Sequence, residues 1–296
     1  MNRHVERLKR HWPVFTIAWL GSIALLIGAY AALPIAWKHY ERHRGLAALP
    51  MVTRTKQGIP GDPINFGLVG SEVDIDCAFA AAGWHAANPV TLRSSMKIVG
   101  SVVMRQPYPT APVSALFYQG RREDLAFELP EGRSADKRHH VRLWRLSGVA
   151  PDPARPLWLG SDSFDRGVGV SHYTFRVTHH IDPDLDSERD FLAAALARTG
   201  HVERDLQVSG VGPMVAGRNG GGDLYFTDGE VEIERLKTNC AASTGPTQPA
   251  HVESPWQVQL RDAVWRLVRP INRWFSGSED PGQSHGASGS RASISS

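Results

Sequence analysis

Hydrophobic and polar positions along this chain fall into three patterns. The first is residues 14–37, VFTIAWLGSIALLIGAYAALPIAW, which run for 24 positions without a formal charge. At 1.5 Å per helical residue such a run crosses a hydrocarbon core of about 30 Å with some tilt. Trp12, Trp19, Tyr30 and Trp37 lie toward its ends or outer thirds, where interface-seeking aromatics collect. A single N-terminal transmembrane helix is therefore predicted. Ala29-Tyr30-Ala31 also offers a signal-peptide cleavage pattern, but the apolar run continues to Trp37, which favours a retained anchor. Arg3, Arg7, Lys9 and Arg10 precede the run and Lys38, Arg42 and Arg44 follow it, so the positive-inside rule leans toward an extracytoplasmic domain.

The second pattern, short alternating segments between turn residues, fills the middle of the chain. Residues 72–82 read as a helix with Ser71 as N-cap and Gly83 closing it. Residues 114–127 read as a hairpin with Arg121, Arg122, Glu123 and Asp124 at a solvated tip. Strands are expected at 141–146, 156–164, 173–181 and 202–208, with Gly167-Val168-Gly169 as a turn. A helix starting at Asp186 or Ser187 runs to Gly200. Residues 224–226 and 230–236 read as a last hairpin around Thr227-Asp228-Gly229. The third pattern is residues 255–275, where Leu260, Val264, Leu267, Val268, Ile271, Trp274 and Phe275 recur at three- and four-residue spacing. Such a helix either lies in a membrane interface or docks on its own domain, with Pro270 kinking it.

These patterns imply an α+β fold: one largely antiparallel mixed domain with two or three helices, preceded by a single N-terminal transmembrane helix. The boundaries are a basic N-terminal tail at 1–13, the transmembrane helix at 14–37, a linker at 38–65 and a globular domain at 66–240. An amphipathic basic helix at 255–275 and a disordered tail at 276–296 follow.

Charge sharpens this division. The net charge of +3 is not spread evenly. Residues 1–44 hold seven Lys/Arg against two Glu, and residues 256–275 hold four Arg against one Asp; residues 45–255 hold 21 basic against 25 acidic side chains. Basic character thus sits beside the two most hydrophobic segments, where lipid headgroups would meet it, and not on the folded domain. This argues against nucleic acid as a partner and for a membrane, with lipid or envelope proteins as further partners. Cys77 and Cys240 have no zinc-finger spacing; either a long-range disulfide or buried free thiols fit them.

Residues 66–237 resemble the LssY C-terminal-domain family. The strings that carry the resemblance are AFAAAGWHAANP at 78–89, RQPYPTAPVSALFYQGRREDLAFE at 105–128 and RHHVRLW at 138–144. WLGSDSFDRGVGVSHYTFRVTHHIDPDLDSERDF at 158–191 and GVGPMVAGRNGGGDLYFTDGE at 210–230 complete the set. The resemblance implies a domain often joined to membrane-embedded phosphatase-like or transporter-like modules. Here one anchor helix is expected in their place, so no phosphatase activity carries over from them.

Candidate chemistry gathers around histidines. Alternation along strands puts His139 with Val141 and Leu143, and His140 with Arg142 and Trp144. Likewise Tyr173, Phe175, Val177, His179 and Ile181 share a buried face, while His180 lies on the other. If these strands are neighbours, His140 and His180 meet near Asp182. Two imidazoles and a carboxylate suit a divalent transition metal, so the metal candidates are His140, His180 and Asp182. The same residues with His172 are the catalytic candidates for metal-free hydrolysis. Packed or solvated histidines remain the plainer account. Asp182-Pro183-Asp184-Leu185-Asp186 opens like a calcium loop, but Ser187 and Ala193 stand where its glycine and bidentate glutamate belong. Helix initiation explains those acids better, with Ser187 and Asp190 imitating a capping box. Arg218, Asn219, Gly220, Gly221, Gly222 and Asp223 are anion-binding candidates, with backbone amides wrapping the anion and Arg218 supplying charge. Residues 108–112, YPTAP, form a rigid extended segment.

Two functions from different classes follow. One is a membrane-anchored binding or accessory module of the cell envelope. The other is a membrane-tethered hydrolase, with or without a metal, acting on a lipid-derived or phosphorylated substrate.

Overall fold

The computed structural model describes residues 15–25, 27–28, 49–87, 115–132, 137–147, 154–173, 175, 177–209, 215–242 and 248–277. The chain divides into two units, Met1–Ala47 and Ala48–Ser296. In the first, residues 15–25 are helical, with Phe15, Ile17 and Trp19 exposed. The basic tail and the remaining positions of the predicted anchor lie outside the described residues. Among the described residues no helix is long and apolar enough to cross a membrane.

The second unit is α+β. Its strands are β1 (Val52–Arg54), β2 (Pro60–Pro63), β3 (Phe66–Val69), β4 (His85–Ala86), β5 (Phe117–Tyr118), β6 (Arg121–Arg122), β7 (Leu125–Pro130), β8 (Arg138–Arg145), β9 (Leu157–Val170), β10 (Val177–Ile181), β11 (Val202–Ser209), β12 (Val215–Arg218), β13 (Leu224–Thr227), β14 (Glu230–Leu236) and β15 (Ala250–Val252); its helices are α1 (Glu72–Ala81), α2 (Leu185–Arg198) and α3 (Trp256–Ser276). The main sheet has the order β15-β11-β14-β3-β9-β8-β7-β4, with β10 also paired to β9. Most pairs are antiparallel; β11–β15 and β14–β3 are parallel. A small sheet, β2-β1-β5-β6, and the β12–β13 pair complete the strand structure.

One face of the main sheet is the core. Phe66, Leu68, Phe127, Val141, Leu143 and Trp158 pack there against Ile75 and Phe79 of α1 and Leu192 and Leu196 of α2. Each such side chain contributes about 1.5–3 kcal/mol of burial. Local signals set both ends of α1. Ser71 and Asp74 form a reciprocal capping box on α1, and Gly83 takes the left-handed turn after it at φ 81°. Cys77 of α1 is disulfide-bonded to Cys240, with the Cα atoms 5.6 Å apart, which resolves the cysteine alternatives in favour of a bridge.

Five expectations need correction. Residues 52–63, expected in the linker, form the β1–β2 hairpin, because Thr53 Oγ1 donates to the Asp62 carbonyl at 2.7 Å in a buried contact. The hairpin near residue 120 turns at Gln119-Gly120, both at positive φ, so Arg121 and Arg122 belong to a strand and not to the tip. Gly167-Val168-Gly169 is strand, paired with His180, His179 and Thr178. Helix α2 is capped by Asp184, whose carboxylate accepts from Ser187, so Ser187 is not the cap. Residues 224–236 do not form a hairpin: β13 pairs with β12 while β14 joins the main sheet. The chain is redirected there because Asp186 accepts from Thr227 Oγ1 and the Asp228 amide at 2.7 and 2.9 Å.

Helix α3 docks on its own domain by its polar side. Trp265 Nε1 donates to Asp186 at 2.7 Å, Arg269 to Asp184 at 2.9 Å, and Arg261 pairs with Glu230. Buried carboxylates need such partners. The consequence is inverted amphipathicity: Trp256, Leu260, Leu267, Ile271, Trp274 and Phe275 are all exposed. Residues 108–112 and most of the expected tail lie outside the described residues.

Candidate functional site

The second face of the main sheet carries a polar cleft of about 480 Å³. Its floor comes from alternation along three strands. On β8, Arg138, His140 and Arg142 point away from the core, while His139 and Val141 point into it. On β9, Asp165 shares the floor; on β10, His179 does. The β1–β2 hairpin adds Asp62, Thr55, Lys56 and Gln57, and Asn219, Gly220 and Gly221 complete the lining, Gly220 packed against Thr55.

Asp165 is the hub. Its Oδ2 lies 2.9 Å from Arg138 Nε, 3.3 Å from His140 Nδ1 and 3.4 Å from His179 Nδ1. Burial opposes its charge, but His140, His179 and Arg138 outweigh burial and hold it well below the usual carboxylate range. Burial pushes His140 down to about 4, against the pull of Asp165. Arg138 also binds Glu128 at 2.7 Å, yet burial pushes Glu128 up to about 8. Arg142 lies 3.4 Å from Asp62, whose carboxyl burial also raises. The floor thus brings two guanidiniums, Arg138 and Arg142, together with the firmly ionised Asp165 and with Asp62. Guanidiniums are the side chains best shaped to hold the oxygens of a carboxylate or phosphate.

The structure regroups the predicted residues. His140 and His180 do not meet, because β9 lies between β8 and β10. A register shift between His180 and Ile181 turns His179 toward Asp165 instead. Asp182 is buried at the start of α2, where its carboxylate accepts the Asp184 amide at 2.9 Å, so it joins neither histidine in a metal site. In the glycine loop, the amides of Gly221, Gly222 and Asp223 are already engaged by Asn219. Asn219 Oδ1 accepts from the Gly221 and Asp223 amides, both at 2.9 Å, the Gly222 amide donates to the Asn219 carbonyl, and Arg218 donates to the Gly222 carbonyl at 2.7 Å. Those donors hold the loop together. Arg138, Arg142, Asp165, Asp62 and His179 are the cleft residues that the sequence reading passed over. The alternation Arg138, His140, Arg142 was the available signal.

Ser163 Oγ lies 3.1 Å from His140 Nε2, so Ser163, His140 and Asp165 make a Ser-His-Asp string. Ser163 is fully buried within β9 and is not among the residues that line the cleft. It orients the imidazole and has no access to attack a ligand.

A second group stands beside the cleft. His180 Nδ1 and Asp223 Oδ1 are 2.6 Å apart, and the rings of His172 and His180 are 6.0 Å apart. One donor atom from each of His172, His180 and Asp223 lies within 4.8 Å of the others.

Fold and site together define an α+β domain whose main sheet is a core on one face and a polar, charge-lined cleft on the other. The chain belongs to the LssY C-terminus family: the family model matches residues 46–231, starting within the expected linker and covering β1 and β2. No curated protein and no solved structure matches the chain significantly.

Proposed function

We propose that this protein is a membrane-tethered binding module of the cell envelope whose cleft takes a phosphate-bearing group. The observation that carries the reading is the pair of buried guanidiniums, Arg138 and Arg142, side by side on the floor of one cavity. A volume of about 480 Å³ suits a small molecule with such a group better than a bare ion. Tethering is supported by the uncharged run at 14–37 and by the outward apolar face of α3, flanked by Trp256 and Trp274. An extracytoplasmic position is supported by the Cys77–Cys240 disulfide, since such bridges persist in oxidising compartments.

The test is calorimetric titration of the full-length chain in detergent with inorganic phosphate and glycerol 3-phosphate. Saturable binding that weakens at least tenfold in Arg142→Gln and in the exposed rim variant Lys56→Ala supports the reading. Loss of about 1.4 kcal/mol or more corresponds to that factor. Absence of binding to both probes by the folded parent would sink it.

The hydrolase reading has one observation in its favour, the metal-capable trio His172, His180 and Asp223 at the edge of the same cleft.

A further inference from the structure

We infer that His172, His180 and Asp223 form a binding site for a divalent transition metal at the rim of the cleft. The donor set, two imidazoles and one carboxylate, is the kind that zinc, manganese and iron take. This set differs from the one the sequence suggested: it keeps His180 and replaces His140 and Asp182 with His172 and Asp223.

Three features show a built site. Two glycines make room for the rings. A Cβ on Gly169 would lie 2.2 Å from His180 Nε2, and one on Gly222, at φ 93°, would lie 2.6 Å from His172 Cβ. Larger residues at either position would displace the histidines. The carboxylate is aimed from behind: Asp223 Oδ2 accepts the Ile181 amide at 3.3 Å and Asn219 Nδ2 at 3.4 Å, leaving Oδ1 directed at His180. Such outer contacts orient ligands at metal sites. Finally, backbone holds His172 in place, because its amide donates to the Gly221 carbonyl at 2.9 Å.

The geometry needs little adjustment. Tetrahedral bonds of about 2.0–2.1 Å put donor atoms roughly 3.3 Å apart. The His180–Asp223 contact must therefore open from 2.6 Å, and the exposed His172 side chain must swing inward from a separation within 4.8 Å. Three protein donors leave a position for an outside ligand. Gly221, whose carbonyl fixes His172, also walls the cleft, so a bound cation would stand beside whatever anion Arg138 and Arg142 hold. The site is separate from the floor and does not depend on phosphate binding there.

The test uses the full-length chain in detergent, stripped of metal and titrated with zinc and with cobalt(II) as a spectroscopic probe. One metal per chain is expected, with the visible absorption of low-symmetry cobalt. His172→Ala, an exposed change, should weaken zinc at least tenfold while leaving the melting temperature of the metal-free protein unchanged. His180→Ala should do the same to affinity, and His251→Ala, which alters a surface His–Asp pair elsewhere, should not. Lack of zinc binding by the folded parent, or binding that survives both His172→Ala and His180→Ala, would overturn the assignment. Zinc binding without phosphate binding would keep this site and sink the cleft reading; phosphate binding unchanged in His172→Ala would confirm that the two are independent.

Discussion

His139 and His140 are neighbours in sequence and end on opposite faces of one sheet, and the two faces treat the same ring differently. Burial pushes both imidazoles down to about 4. His139 is sealed against α2: its Nδ1 lies 2.8 Å from Glu188, and its ring stacks on Phe191 at 4.2 Å. Glu188 is itself pushed up by burial and by the carboxylate of Asp182, and neither member of the pair lines the cleft. His140 instead faces a cavity, with Asp165 held ionised beside it and two guanidiniums on the same floor. Burial alone therefore does not distinguish a packing histidine from a site histidine. The direction in which the partner carboxylate is pushed, up for Glu188 and down for Asp165, and access to a cavity do.

The largest effect should come from breaking the sealed side. His139→Ala removes a stacked ring and orphans Glu188, so an unfolding free energy lower by on the order of 3–5 kcal/mol is expected in urea titration. Phosphate affinity, measured under folding conditions, should stay within a factor of two. A fall in affinity comparable to that of Arg142→Gln would collapse the distinction between faces.

Next comes His140→Gln, which keeps a polar side chain on the floor. It should cost less than half the stability lost by His139→Ala and should lower phosphate affinity several-fold, as read by calorimetry.

The pH dependence sharpens the comparison further. Both histidines have folded values near 4 and unfolded values near 6.5, so the unfolded chain binds more protons between those limits. Their contribution to stability is present above pH 6.5 and lost as pH falls toward 4. Glu128, raised to about 8, acts with the opposite sign, losing its contribution as pH rises from 4.5 to 8. The histidine part is isolated by subtracting the profile of His139→Gln from that of the parent. The difference should grow from pH 4 to 6.5 and then level off; a flat difference would show that His139 does not titrate on unfolding.

The smallest expected change in stability is at the outward face of α3. Leu267 is 77 % exposed, so Leu267→Ser should shift stability by no more than about 0.5 kcal/mol. It should nevertheless reduce flotation of the protein with anionic vesicles, most clearly in a variant that lacks residues 1–40. Equal flotation of both proteins would remove α3 from the membrane argument.

Much of the fold was legible because its signals are local. Ser71 and Gly83 bound α1 within a few positions, the acidic run at 182–186 announces α2, and three-four spacing marks α3. The α3 pattern also misleads about which face docks, because the acids that hold Arg261, Trp265 and Arg269 lie 31 to 85 residues away in sequence. The sites were half legible for the same reason. Strand alternation separated His139 from His140, and residue types marked His172 and His180 as catalytic candidates and Asp223 as part of the anion-binding loop. Their grouping depended on three facts with no local signature: β9 separates β8 from β10, a register shift turns His179 toward Asp165, and Asn219 binds its own loop.

By itself, then, the sequence determined the cap of α1, the alternation of faces along β8 and the family, since each rests on neighbours within a few residues or on a continuous string. The tertiary structure alone decided which histidine meets which carboxylate, which side of α3 is covered and that Cys77 reaches Cys240, because strand order and register set distances between residues far apart in the chain.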